Sequence, residues 1–227
     1  GLFAVIGLIV YSTFMSGIRL SRSFDVENEV YREVRLTFDL ISQELENTFV
    51  YDFSGSNPEY VGLKGDQYTI KFLAVVKDKL KLIQYSLNKP TENRIYQTII
   101  GDTYAKNVST TLVNQYNQKI NYLIREERSF LDVFEETPDK KPDFEIISTH
   151  IQENSLKFSY GYFEDEKATE LTWRNDWNLQ YLPKVIRVEF DYMIDRTEES
   201  KRNEIETLHF SQNVLIPRAK GFNGSET

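Results

Sequence analysis

The chain has 227 residues, a formal net charge of -8 and no cysteine. That charge disfavours nucleic acid as a partner, because phosphate binding needs concentrated Lys and Arg, and here the basic residues do not cluster beyond pairs. Lack of cysteine removes thiol catalysis, zinc-cysteine sites and disulfide staples.

The chain opens on an apolar run, GLFAVIGLIVYSTFMSGI (1 to 18), with no charge before Arg19. A bilayer core of ~30 Å needs ~20 such residues at 1.5 Å each, so the run is slightly short. It begins at Gly1 without an initiator Met, and a few more apolar residues and any leader are expected to precede it. A cleaved secretory signal is the rival reading, but no small-residue cleavage site followed by a loop appears, and the helical pattern continues. The expectation is a single-pass membrane helix whose packing surface in lipid or in a helix bundle includes Leu2, Phe3, Val5, Ile6, Leu8, Ile9 and Val10. Gly1, Gly7, Ser12, Ser16 and Gly17 are the small residues that permit close helix approach.

From residue 19 to 49 the period stays helical. Leu20, Phe24, Tyr31, Val34, Phe38, Ile41 and Leu45 fall along one line at ~100° per residue and are expected to pack on the chain's own globular part. Leu36 and Leu40 sit on the opposite side among Glu29, Glu33, Gln43 and Asn47. They are either a contact for a neighbouring subunit or two isolated surface leucines. The charges on the stem mix both signs, which argues against a polybasic membrane-surface helix.

SGSNPEY (54 to 60) ends the helix with turn-forming residues. Short β-branched and aromatic runs follow at 68 to 76, 80 to 87 and 94 to 100, and read as an antiparallel meander. A strand or hairpin is predicted over 119 to 134, before the loop EETPDKKPD (135 to 143). A second β-rich block then runs through 144 to 148, 156 to 163, 185 to 194 and 205 to 215. In it Leu156, Phe158, Tyr160 and Tyr162 alternate with Lys157, Ser159 and Gly161, the signature of one buried and one exposed face. The tail 221 to 227 is expected to fray.

Sites for chemistry are sparse. His150 and His209 lie in or beside separate strands without HExxH or HxH spacing, and read as satisfied or exposed strand histidines. Acidic pairs sit in or beside loops without the DxDxDG pattern of a calcium loop, and there is no GxSxG, Walker loop or GxGxxG. No catalytic residue, metal, cofactor or small-molecule substrate is assigned. Trp173 and Trp177 in LTWRNDWNLQYLPKVIRVEF either form a ligand platform or pin a loop over the core.

That stretch carries a resemblance. An apolar stem, then EIISTHIQENSLKFSYGYF (145 to 163), WRNDW (173 to 177), LPKVIRVEF (182 to 190) and HFSQNVLIPRA (209 to 219), in that order, is similar to the minor pseudopilin J subunit of the type II secretion system. Tyr160, Trp173, Trp177, Leu182 and Pro183 hold places in the family's core motif. The resemblance implies an α+β fold: a long pilin-type helix (1 to 49) packed on an antiparallel β-rich periplasmic domain (50 to 220), with its strands in two small sheets. It implies a non-enzymatic subunit of the inner membrane that assembles with the I and K minor pseudopilins at the tip of the pseudopilus. A type IV pilus minor pilin and a membrane-anchored periplasmic sensor domain are the alternatives.

Overall fold

Leu2–Glu46 form one α-helix, α1, uninterrupted because no proline falls within it. It stops at Asn47, whose side-chain amide bonds back to the Gln43 carbonyl at 2.8 Å. The chain then turns onto the sheet, with the Phe49 N–H donating to the Leu73 carbonyl at 3.3 Å. The computed structural model describes residues 1–50, 62–88, 120–130, 142–165, 167–179, 181–195 and 205–219.

The strands are β1 (Leu63–Gly65), β2 (Thr69–Val76), β3 (Lys79–Asn88), β4 (Ile120–Ser129), β5 (Asp143–Gln152), β6 (Lys157–Tyr162), β7 (Thr172–Arg174), β8 (Val185–Asp195) and β9 (Ile205–Leu215). β2 and β3 are joined by Lys77 and Asp78, both with left-handed φ (51° and 61°), the pattern of a two-residue turn whose twist suits a hairpin. Asp66 builds the β1–β2 turn: its Oδ1 accepts the Tyr68 and Thr69 N–H groups at 2.7 and 2.8 Å. β1 and β7 are short strands that periodicity did not suggest. The expected strand at 94 to 100, the turn at 54 to 60, most of the loop at 135 to 143 and the tail at 221 to 227 lie outside the described residues.

The expected α+β architecture of a long helix on two small sheets is corrected. Among the described residues strand outweighs helix, and the strands form one curled, nine-stranded antiparallel sheet. The reason lies in pairing that composition does not reveal. The two β-rich blocks are stitched together where β4 pairs with β5 across the polar loop, from Ile120↔Gln152 to Glu127↔Asp143. β5 and β6 then lie end to end along one side of β8, with Ile151 opposite Tyr192 and Lys157 opposite Glu189, while β9 lines the other side. Between them Asn154 takes a left-handed φ, and the Ser155 hydroxyl accepts the Asp191 N–H at 3.1 Å, which holds the excursion against β8.

The sheet curls until its ends meet. Gly65 and Trp177 exchange two backbone hydrogen bonds, at 2.8 and 3.0 Å, and the Phe158 N–H donates to the Gln67 carbonyl at 2.9 Å. The core fills the space so enclosed, with Leu63, Ile70, Phe72, Ile83, Tyr85, Phe158, Tyr160, Trp177, Ile186, Val188 and Phe190 almost fully buried.

Gly65 sits at the closure because nothing larger fits: a Cβ there would lie 2.0 Å from the Tyr160 hydroxyl oxygen and 2.8 Å from the Thr69 carbonyl. Tyr160 cannot retreat, being fully buried and donating its hydroxyl proton to the Asp66 carbonyl at 3.0 Å. Gly65→Ala should therefore cost about 1–3 kcal/mol by overpacking, read as a lower denaturant midpoint. Tyr160→Phe in the same chain should recover part of the loss, because it removes the nearer of the two clashing oxygens.

Candidate assembly surface

The lower half of α1 seats on the sheet through Val30, Val34, Phe38, Ile41 and Leu45, each at most 6% exposed and three or four residues apart. Phe38 stacks on Phe190 of β8, with ring centroids 4.9 Å apart. Two members of the sequence stripe are not seated: Phe24 and Tyr31 are each 55% exposed. They lie where the helix leaves the sheet, and Tyr31 reaches it only through an edge-on contact with Phe210 of β9 at 5.8 Å. The side chain of Leu20 lies outside the described set.

A polar flank accompanies the apolar stripe. At ~100° per residue Glu33, Thr37 and Glu44 share one side of it, and the sheet provides a partner for each carboxylate. Glu33, read from sequence as part of the outer face, is instead half-buried against the sheet, where it accepts hydrogen bonds from Ser148 Oγ at 2.9 Å and Tyr192 Oη at 2.6 Å. Glu44 is buried and takes two Arg125 nitrogens, Nε at 2.9 Å and Nη2 at 2.6 Å, together with the Tyr85 hydroxyl at 2.6 Å.

Arg125 also reaches Glu127 at 2.7 Å, and Glu127 pairs with Lys81. Burial alone would raise the Glu127 carboxyl pKa, but the hydrogen bonds and charges of Lys81 and Arg125 reverse this and hold it below the ordinary carboxylate value. Burial and the adjacent Glu44 carboxylate push the Tyr85 phenol up, so Tyr85 remains a donor. Neither Glu33 nor Glu44 had a sequence signal, since the partners of each are distant along the chain.

The remaining candidates fall apart as sites. His209 is exposed, with Nδ1 2.7 Å from Asp191 Oδ1 and Glu189 4.0 Å from its other nitrogen. His150 lies elsewhere, on β5. Among the described residues no group of three or more His, Cys, Asp or Glu could hold a metal ion.

The two tryptophans do different things. Trp177 is fully buried beside Tyr160, Tyr162 and Tyr181, and its Nε1–H donates to the Tyr181 carbonyl at 2.8 Å. Trp173 lies over Gly161 on its neighbouring strand, and its ring carries the Arg187 guanidinium at 4.2 Å, so its faces are occupied. Leu182 and Pro183 are buried at the entry to β8, where the Lys184 N–H donates to the Gly161 carbonyl at 2.8 Å.

What remains open is the upper half of α1. Ile6, Leu8, Ile9 and Val10 are 50–69% exposed, and Tyr11 and Phe14 are exposed with them, on every side of the helix. The side chains of Leu2, Phe3 and Val5 lie outside the described set. Thr13 and Ser16 turn their hydroxyls back onto the Ile9 and Ser12 carbonyls, at 2.9 and 2.8 Å, which hides polar groups from the surface. Lower down Leu36 is 62% exposed and Leu40 half-buried.

Among the described residues no helix is long and apolar enough to cross a membrane, which corrects the expectation of a single-pass inner-membrane protein. The apolar run ends at Arg19 and, at 18 residues, is shorter than the ~20 a bilayer core requires, and Tyr11, Ser12, Thr13 and Ser16 dilute it. Comparisons with protein-family models, with curated proteins and with solved structures find no match to this chain.

Proposed function

We propose that the chain is a minor pseudopilin of the J kind, a non-enzymatic structural subunit that assembles with I-type and K-type minor pseudopilins at the tip of a secretion pseudopilus. The observation that carries this reading is the upper half of α1, apolar on all sides and uncovered. A helix of that composition is unstable facing water and has to be enclosed by other apolar surfaces. Helices of like subunits would enclose it, with Gly7 and Gly17 leaving room: nothing lies within 4 Å of where a Cβ would stand at either. The sheet domain would stay outside the bundle as the subunit's own surface. The ordered WRNDW and LPKVIRVEF elements support the same reading by their resemblance to the J subunit.

Leu36 is the exposed residue through which the stem would meet a neighbour, with Leu40 beside it. Leu36→Asp with Leu40→Asp should reduce co-purification of the full chain with I-type and K-type partners by roughly tenfold or more, because a carboxylate would have to be desolvated in an apolar contact. The thermal midpoint should change little. Undiminished recovery of both partners would sink the proposed stem interface, and a full chain that captures neither would sink the tip-subunit reading.

A further inference from the structure

β9 lies at the edge of the sheet. It pairs with β8 along its whole length, from Val185↔Leu215 to Asp195↔Ile205, and among the described residues no strand pairs with its other side. Two contacts fix which backbone groups face outward. The Asp191 N–H and carbonyl both meet the Ser155 hydroxyl, on the side of β8 away from β9, and the Ile216 N–H donates to the Lys184 carbonyl at 2.9 Å. In an antiparallel pair the N–H and C=O of one residue point the same way, and successive residues alternate. The even-numbered residues of β9 therefore bond to β8, while Thr207, His209, Ser211, Asn213 and Leu215 turn their N–H and C=O groups outward.

Such a row of backbone groups is a template for another strand, and single-chain proteins blunt it with lysine, proline, a bulge or a very short edge. β9 uses none of these devices. It is eleven residues long, its register with β8 is unbroken, and IETLHFSQNVL contains no Lys, Arg or Pro.

The strand is also self-complementary. Phe210 is the midpoint of Ile205–Leu215, so a second copy laid antiparallel about Phe210 overlaps all eleven residues. That register sets outward groups against outward groups, with His209 opposite Ser211 and Thr207 opposite Asn213. Glu206, the strand's only acidic residue, falls opposite Val214, so no like charges meet. A slip of two residues would leave two of each strand unpaired. Exposed aromatic surface lies at the same midpoint: Tyr31 of α1, 55% exposed, stands edge-on to the half-buried Phe210 at 5.8 Å. A two-fold axis through Phe210 would bring two such pairs together.

We propose that β9 is a dimerisation edge, through which two copies of this chain join their sheets by antiparallel pairing about Phe210. The contact is separate from the stem contact at Leu36 and Leu40 and stands or falls independently of it.

The full chain, held in a mild detergent that shields the apolar residues of α1, should sediment as a dimer. Ser211→Pro removes an outward N–H without costing a bond to β8, and should raise the dissociation constant about tenfold or more. Leu36→Asp with Leu40→Asp should leave the dimer intact. Because the chain has no cysteine, Thr207→Cys or Leu215→Cys gives one spin-label site per copy. Paired about Phe210, the two copies of residue 207 lie six residues apart along the strands and those of residue 215 ten apart, so electron–electron distances of about 20 and 34 Å are expected. A chain that remains monomeric at ~100 μM, a dimer indifferent to Ser211→Pro, or label distances that do not lengthen from residue 207 to residue 215 would each overturn the proposal. Should Ser211→Pro fail to fold, the label distances decide alone.

Discussion

Replacing Arg125 by methionine should lower the thermal midpoint by roughly 6–20 °C, the equivalent of ~3–5 kcal/mol in a domain of this size. The methionine fills much of the volume, so the loss is electrostatic. Glu44 would keep only the Tyr85 hydroxyl at 2.6 Å, and Glu127 only Lys81. Glu44 is the sharper problem, because its side chain is 6% exposed and water cannot replace the guanidinium. Removing both members should restore most of the stability: Glu44→Leu with Arg125→Met trades a desolvated ion pair for apolar contact, a change that is often neutral or better. Thermal unfolding followed by circular dichroism gives the four corners of the cycle. A single replacement costing less than ~1 kcal/mol would mean that water reaches the pair and that the seam is held by apolar packing alone. The natural chain carries a related pH signature. Glu127, held below its ordinary value near 4.5, contributes stability that is present above that value and is lost as pH falls below it.

The same network shows why only part of the molecule was legible in the sequence. Alternation in Leu156, Phe158 and Tyr160 could be read locally, because a strand's two faces differ by their neighbours two residues away, and all three are fully buried. Even there Gly161, assigned to the open face, is covered by the Trp173 ring. Glu33 and Glu44 could not be read, because a carboxylate beside an apolar stripe looks like solvated surface until its partner is known. Those partners are Tyr192, 159 residues away, and Arg125, 81 residues away. β1 and β7 escaped for a related reason: each is three residues long, too short to show a period, and is defined by its pairing, β1 with β2 and β7 with β6. The two blocks of strands became one sheet through the β4–β5 register, which hydrophobic pattern does not encode. The upper stem was misread differently: its apolar run stops at Arg19 and holds Tyr11, Ser12, Thr13 and Ser16, and among the described residues no helix is long and apolar enough to cross a membrane.

Closure of the sheet gives the other large effect. Trp177→Ala should cost ~3–5 kcal/mol, a fall of roughly 6–20 °C in thermal midpoint, because the indole is fully buried and the rings around it have no route to collapse. Tyr160, Tyr162 and Tyr181 surround it with ring centroids 5.4–6.0 Å away, and its N–H satisfies the Tyr181 carbonyl. The damage should spread in a defined direction. The Trp177 backbone exchanges two hydrogen bonds with Gly65, so loss of the side chain should speed amide exchange around 62–66 and 157–160 before it is felt at β3 and β4. Trp177→Phe keeps an aromatic body and loses the N–H, and should cost ~1–3 kcal/mol. Trp173→Ala is the control within the same short segment. It removes one cation–π contact with Arg187 on a half-exposed face, worth ~0.5–1 kcal/mol. Equal costs for the two alanine variants would mean that the curl is not held at Trp177, and the Gly65–Trp177 pairing would then be a consequence of closure by other strands.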